Sequence, residues 1–292
     1  MDITPREQAT RTAPLDAASI ILIQDAPTEG LRVLLLRRNK KQSFGANAFV
    51  FPGGQLDDAD QDPELADLAL GLDGDQARAR LNEPGLSPRQ ALGLYFAALR
   101  ETFEEAGVLL RSDAGNAPPQ GTRRKMNAGE LTLKDLARNE NMTFDLGLLT
   151  PYARWITPAI EKKRFDARFF LALLPQGLKP VHDDREMTET LWTTPAQALE
   201  QNAAGQIYLM PPTMKILESL AEFPEASAAF AAANRKKILP ILPEPVRTET
   251  TIYLKLPHDP EYSIEAFKQP PRPGEPSRVI LTTTGWQTAA AE

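Results

Sequence analysis

The chain has 292 residues, 42% of them hydrophobic and 25% charged, with a formal net charge of −6 and no cysteine. That size allows one large domain with extensions and a core that needs no covalent staple. Acidity argues against a nucleic-acid partner, the lack of thiols excludes disulfides and thiolate chemistry, and no apolar run approaches the about 20 residues of a membrane span.

The N-terminal segment, residues 1–17, is polar from Met1 to Leu15, with Pro5 and Pro14, and is expected to carry no secretory signal. The terminal Ala-Ala-Ala-Glu is not a peroxisomal address, so the cytoplasm is the expected compartment. Ala18 to Gln24 and Leu31 to Arg37, rich in Ile, Val and Leu and separated by turn residues 25–30, read as paired strands. Asn47 to Phe51 is a third strand running into Pro52-Gly53-Gly54. Short helices are expected at Glu64 to Leu72 and Asp75 to Leu81. A long one follows from Pro88 to Ala106, with Ser87 as N-cap and Gly107 as its stop. Ser112 to Gly129 reads as loop and Leu131 to Asn139 as helix. Strands are expected at 148–156, 164–174 and 188–193, and helices at 195–202, 212–221 and 226–234. Residues 235–292, with prolines and short strands, form a C-terminal extension expected to pack on the main domain, residues 18–234.

The long helix carries the chemical argument. At about 100° per residue, Leu92, Phe96, Leu99, Phe103 and Ala106 share one stripe. Glu101, Glu104 and Glu105 fall opposite, and their carboxylates converge. Like charges repel, and the last turn is the wrong helix end for anions. On an isolated helix such acids are a solvated face. A hard divalent cation would compensate them, and Arg100 could neutralise one and fix its orientation.

The pattern Arg100-Glu101-x-x-Glu104-Glu105-x-Gly107, with Gly54 upstream, resembles a Nudix box split by an insertion at about residues 58–87. Counting back puts Leu92 where an early box glutamate is usual. Val33 to Arg38, Phe49 to Asp57, Arg154 to Pro158, Arg164 to Phe170 and Trp192 to Pro195 resemble the peroxisomal coenzyme A diphosphatase branch.

The resemblance implies an α/β/α Nudix sandwich with a mixed sheet, a helical insertion within the box and the C-terminal extension. It implies hydrolysis of a nucleoside diphosphate conjugate with Mg²⁺ or Mn²⁺. Glu101, Glu104 and Glu105 would hold the metal, the Gly54 carbonyl would add a ligand, and Arg100 would orient the acids. A further acid is expected from residues 182–189, Glu186 before Glu189. Arg38, Arg154, Arg164 and Arg168 are the substrate-phosphate candidates. The coenzyme A signature keeps Leu34, Leu35, Arg38 and Phe51-Pro52-Gly53-Gly54, but Leu36 replaces a usual Thr, Ser43 an Arg and Asn47 a Gly. Coenzyme A or acyl-coenzyme A, cleaved to phosphopantetheine and 3′,5′-ADP, leads. ADP-ribose, NADH and dinucleoside polyphosphates are the alternatives, and a non-catalytic ligand sensor is the rival class. The expected partner is a small nucleotide conjugate, with no nucleic acid and no membrane; a homodimer stays open.

Overall fold

The computed structural model describes residues 13–41, 45–111 and 118–291. Four strands open the chain: β1 (Leu15–Ala26), β2 (Gly30–Arg38), β3 (Ala48–Val50) and β4 (Gly53–Gln55). After the box insertion, with β5 (Ala69–Leu70) and α1 (Gly74–Leu81), comes α2 (Pro88–Ala106). Then follow α3 (Thr122–Asn127), α4 (Leu133–Asn139), β6 (Phe144–Asp145), β7 (Thr150–Ile156), β8 (Phe165–Leu173) and β9 (Met187–Thr193). Next are α5 (Pro195–Ala203), β10 (Tyr208–Leu209), α6 (Pro211–Leu220), α7 (Ala226–Ala233) and β11 (Pro240–Ile241). The chain closes with β12 (Glu244–Arg247), β13 (Ile252–Lys255), β14 (Arg278–Leu281) and β15 (Trp286–Ala289).

Among the described residues, nine strands form one mixed sheet in the order β10–β3–β2–β1–β8–β7–β11, with β4 also pairing to β1 and β9 to β2. β1 and β8 pair in parallel, while β1–β2, β2–β9 and β7–β8 are antiparallel. Side-chain alternation divides the core into two layers. Ala18, Ile20, Leu22, Leu34, Leu36 and Phe170 face α2. Ile21, Ile23, Val33, Leu35 and Leu171 face α6 and α7. The expected α/β/α sandwich with a mixed sheet is the observed architecture. No helix among the described residues is long and apolar enough to cross a membrane.

The predicted bounds of α2 hold because its end signals are local. Ser87 and Gln90 make reciprocal side-chain-to-backbone bonds at 3.1 Å, Pro88 takes the first turn, and Gly107 leaves it at φ 69°. Two expectations differ. Residues 58–68 form two 3₁₀ turns, Asp58–Gln61 and Pro63–Leu68, because the Asp57 and Asp62 caps and Pro63 restart the chain every few residues. The segment expected as loop before Gly129 contains α3. In the extension, β12–β15 form a second antiparallel sheet. Leu254, Leu256 and Val279 join the α6–α7 core, and Asn202 Nδ2 donates to the Trp286 carbonyl at 2.9 Å.

A buried ion network ties the insertion to the sheet. Arg168, 2% exposed, bonds Glu83 through Nε at 2.9 Å and Nη2 at 2.6 Å, and also pairs with Asp16. Arg154 binds Asp166 at 2.9 and 2.6 Å and Glu83 at 2.8 Å. Glu83 therefore compensates two guanidinium groups at once. Breaking such a pair from one side strands a buried charge, so Glu83→Ala should destabilise the protein by about 3–5 kcal/mol. A urea denaturation midpoint measures this; an unchanged midpoint would show that the network contributes nothing net.

Candidate active site

Helix α2 is buried on more sides than its apolar stripe suggests. Tyr95 packs on Phe170 of the sheet with ring centroids 4.5 Å apart, while Phe96 meets Phe144 on another side at 5.9 Å. Leu92, where the early box glutamate is usual, is a core residue at 7% exposure. The acidic end of α2 consequently faces strand β4 and the insertion, where Glu105 is buried.

Arg100 is the centre of this end. Its Nη1 donates to Glu101 at 2.8 Å and to Glu104 at 2.9 Å. Its Nε and Nη2 grip both oxygens of Asp60 at 2.8 and 2.9 Å, and Nη2 also reaches the Gln55 carbonyl at 2.9 Å. Burial disfavours the Arg100 charge, but the Asp60 bonds and the charges of Glu101, Asp60 and Glu104 outweigh it and raise its pKa. Asp60, 2% exposed, is a functional residue that the sequence reading missed. Its second task is to accept the Asp57 N–H at 2.9 Å, which closes the 3₁₀ turn holding it. The Asp-rich start of the insertion was its one sequence signal.

Glu105 accepts the Gly53 N–H at 2.8 Å. Gly54 lies against Glu101: a Cβ there would come within 2.2 Å of Glu101 Oε1, and one on Gly53 within 2.1 Å of Ser19 Oγ. The paired glycines therefore serve close approach between strand, helix and acids. Burial, with the charge of Glu104 adding and Arg100 opposing, pushes the Glu101 carboxyl up to about 7. Glu104 is raised by burial against the pull of Arg100. Glu105 is raised well above its ordinary value, first by burial and then by Glu101, with the Gly53 N–H and Arg38 opposing and Glu186 adding.

These acids line a cavity of about 610 Å³. Asp57, Asp60 and Arg100 share its floor, Met126, Asn127, Leu131 and Leu133 form a wall from the α3–α4 region, and Asp183, Arg185 and Glu186 close another side. Glu186 thus joins the acids, whereas Glu189 does not line the cavity and pairs with Arg37 at 3.4 Å on the β2–β9 surface. Arg38 acts on Glu105 through its charge without lining the cavity. Arg154 and Arg168 are not brought to the cavity; their guanidinium groups are engaged in the Glu83–Asp166 network. Arg164 lies just before β8, where its Nε donates to the Thr157 carbonyl at 3.0 Å, and it too is absent from the cavity lining. None of the three expected phosphate-binding arginines lines this cavity, and Arg154 and Arg168 spend their charges fastening strands and insertion together.

Of the positions departing from the coenzyme A signature, Ser43 lies outside the described residues. Leu36 is fully buried in the α2-facing core. Asn47 has φ 62°, a left-handed conformation that Gly adopts freely and Asn tolerates, which reconciles it with the usual glycine.

The donor set suits a hard divalent cation: carboxylate oxygens from Glu101, Glu104, Glu105 and Glu186 around one cavity, the first three raised in pKa chiefly by burial. Among the described residues no three such side chains already converge as a finished cage. Arg100 holds two of the carboxylates and the Gly53 N–H a third.

The family model described as NUDT19 Nudix domain matches residues 10–220. The chain is similar to the acyl-coenzyme A diphosphatase NUDT19 of Homo sapiens, 30% identical over 239 residues, covering 69% of this chain and 63% of that protein. It is also similar to the Xenopus laevis protein of the same name, 27% identical, covering 68% and 62%. The chain thus spans less than two thirds of the length of these curated relatives. Among solved structures, a NUDIX hydrolase from Alicyclobacillus acidocaldarius superposes with a TM-score of 0.62 at 29% identity, covering 75% of this chain and 96% of that one.

If the buried acids await a cation, millimolar Mg²⁺ or Mn²⁺ should raise Tm, since a ligand bound only by the folded state stabilises it. Glu105→Gln keeps an acceptor for the Gly53 N–H and removes one buried like charge. It should leave the metal-free Tm equal or higher and abolish most of the metal-induced rise. A rise undiminished in the variant would remove Glu105 from the site.

Proposed function

Because the chain belongs to the NUDT19 Nudix-domain family, we propose that it is a divalent-metal-dependent diphosphatase acting on nucleoside diphosphate conjugates, with coenzyme A or an acyl-coenzyme A as substrate. The observation that carries this reading is the trio Glu101, Glu104 and Glu105, the first two held by Arg100 and the third by the Gly53 N–H, lining a cavity roomy enough for a diphosphate and its flanking groups. A purely binding protein has no need to keep three mutually repelling acids at one helix end.

In the reaction, the oxygen of water bonds to one phosphorus as the bridging P–O bond breaks. Coenzyme A yields phosphopantetheine and 3′,5′-ADP. A bound Mg²⁺ or Mn²⁺ would supply polarisation of the phosphoryl oxygens and activation of the water. Glu101, Glu104 and Glu105, with the Gly54 carbonyl and Glu186, are the residues proposed to hold it. Arg100 keeps Glu101 and Glu104 in register, and Asp60 fixes Arg100 in turn. One of the three box carboxylates accepts the proton of the attacking water. Support for the substrate class comes from the names of the relatives, from the retained Leu34, Leu35, Arg38 and Phe51–Gly54 spacing, and from the left-handed backbone at Asn47.

The test is a panel of coenzyme A, acyl-coenzyme A, ADP-ribose, NADH and a dinucleoside polyphosphate, assayed with Mg²⁺ and read by product mass. Coenzyme A should give phosphopantetheine and 3′,5′-ADP, and Glu104→Gln should lower turnover by about 100-fold or more. Asp60→Asn, which weakens the grip on Arg100, should cost about 10- to 100-fold. No turnover of any panel member, or full activity of Glu104→Gln, would sink the reading.

A further inference from the structure

The acidic cavity has an unsolved electrostatic problem. Its substrate is anionic on the reading above, and its lining is dominated by carboxylates. Among the described lining residues the only cationic side chains are Arg100 and Arg185. Arg100 is committed to Asp60, Glu101 and Glu104. Arg185 is exposed and, among the described residues, holds no ion pair.

The arm that carries Arg185 is built to a fixed shape. Asp183 Oδ1 accepts the N–H groups of Arg185, Glu186 and Met187 at 3.2, 3.1 and 2.8 Å. Asp184 takes a left-handed φ of 60°, the turn that lets one carboxylate collect three successive donors. Asn39, just past β2, donates from Nδ2 to the Arg185 carbonyl at 2.9 Å and from its N–H to the Glu186 carbonyl at 2.8 Å. At its other end the arm is fastened to α2: the Val181 N–H donates to Ala106 O at 2.9 Å. Arg123 bridges the carbonyls of Glu104 and Val181, each at 2.8 Å. Arg185 and Glu186 are therefore held at a set distance from the last turn of α2, and both line the cavity.

We propose that Arg185 is a substrate-binding residue that grips the phosphoryl oxygens of the diphosphate, with Arg123 as the positioning residue that holds its arm against α2. This rests on the diphosphatase reading for its substrate class. A guanidinium matches two phosphoryl oxygens at once, which an ammonium cannot do. The adjacent pair divides the labour: Glu186 joins the acids while Arg185 meets the anion they would otherwise repel.

The test compares wild type, Arg185→Ala and Arg185→Lys. It measures kcat and KM on whichever panel substrate is turned over, and the Kd of ADP with Mg²⁺ by calorimetry, which needs no turnover. Arg185→Ala should raise both KM and the ADP Kd by about 10- to 100-fold, the span of one charge-assisted contact, with kcat within about threefold and Tm unchanged. Arg185→Lys should recover only part of the loss. Unchanged KM and Kd in Arg185→Ala would overturn the proposal, as would a fall in kcat and Tm together without a change in Kd. If wild type binds ADP with Mg²⁺ but hydrolyses nothing, the diphosphatase reading fails and Arg185 is judged by the Kd alone. If wild type binds no ADP, the proposal fails as well.

Discussion

Arg100 places its guanidinium between a buried aspartate, two glutamates and a backbone carbonyl, and these partners serve three different tasks. Asp60 anchors the insertion, Glu101 and Glu104 are candidate ligands, and Gln55 ends the strand that brings the paired glycines to the helix. A buried ion pair is a poor source of net stability, because desolvation consumes most of the Coulombic gain. Its worth here is geometric. Asp60 takes the guanidinium in two-point fashion and fixes its plane, and the plane then dictates where the Glu101 and Glu104 carboxylates rest. A lysine, with a single rotatable ammonium, has no comparable plane to impose.

The same site stores unfavourable energy. The charge of Glu101 adds to burial in raising Glu105, which among the described residues has only the Gly53 N–H as a hydrogen-bonding compensation. Sequences optimised for stability alone would not keep such groups. The glycines show how tightly the arrangement is drawn. Neither Gly53 nor Gly54 needs a positive φ; what they need is the absence of a Cβ, so that β4 can lie against Ser19 on one side and Glu101 on the other. Loss of either glycine would push strand from helix and open the acid cluster.

What could be read in the sequence was what depends on local rules. The ends of α2 follow from Ser87, Pro88, Gln90 and Gly107, and the two layers of the core follow from alternation in β1 and β2. The acids were legible by their spacing on a helix. Burial around that helix was not, because an apolar stripe identifies one packed face and carries no information about a second cover added by an insertion. Asp60 was hidden for the same reason: its partner lies 40 residues away in the chain. Arg154 and Arg168 misled in the opposite direction. Arginine beside aspartate on a strand looks like a surface available for phosphate, and only the fold reveals Glu83 arriving from the insertion to occupy both.

The insertion is therefore part of the site. Positions 93, 97 and 100 of α2 are spaced by four and three residues and lie on one face of the helix. Gly93 and Ala97 are small and buried, and a Cβ on Gly93 would meet the Gln61 side chain at 2.7 Å and the Asp60 carbonyl at 3.3 Å. The missing side chain at 93 lets the 3₁₀ turn Asp58–Gln61 settle on that face, and two turns of helix further along Arg100 meets the Asp60 carboxylate that the turn presents. One turn before Gly93, Arg89 bonds the Gln61 carbonyl and holds the far end of the same turn. Beyond it, Asp62 and Glu64 at the start of the next 3₁₀ turn pair with Lys134 and Arg138 of α4, so the insertion that orients Arg100 also anchors the helix bordering the cavity wall. A box interrupted in sequence is in this way continuous in space: the residues that split it return to its helix and supply the carboxylate that fixes its arginine.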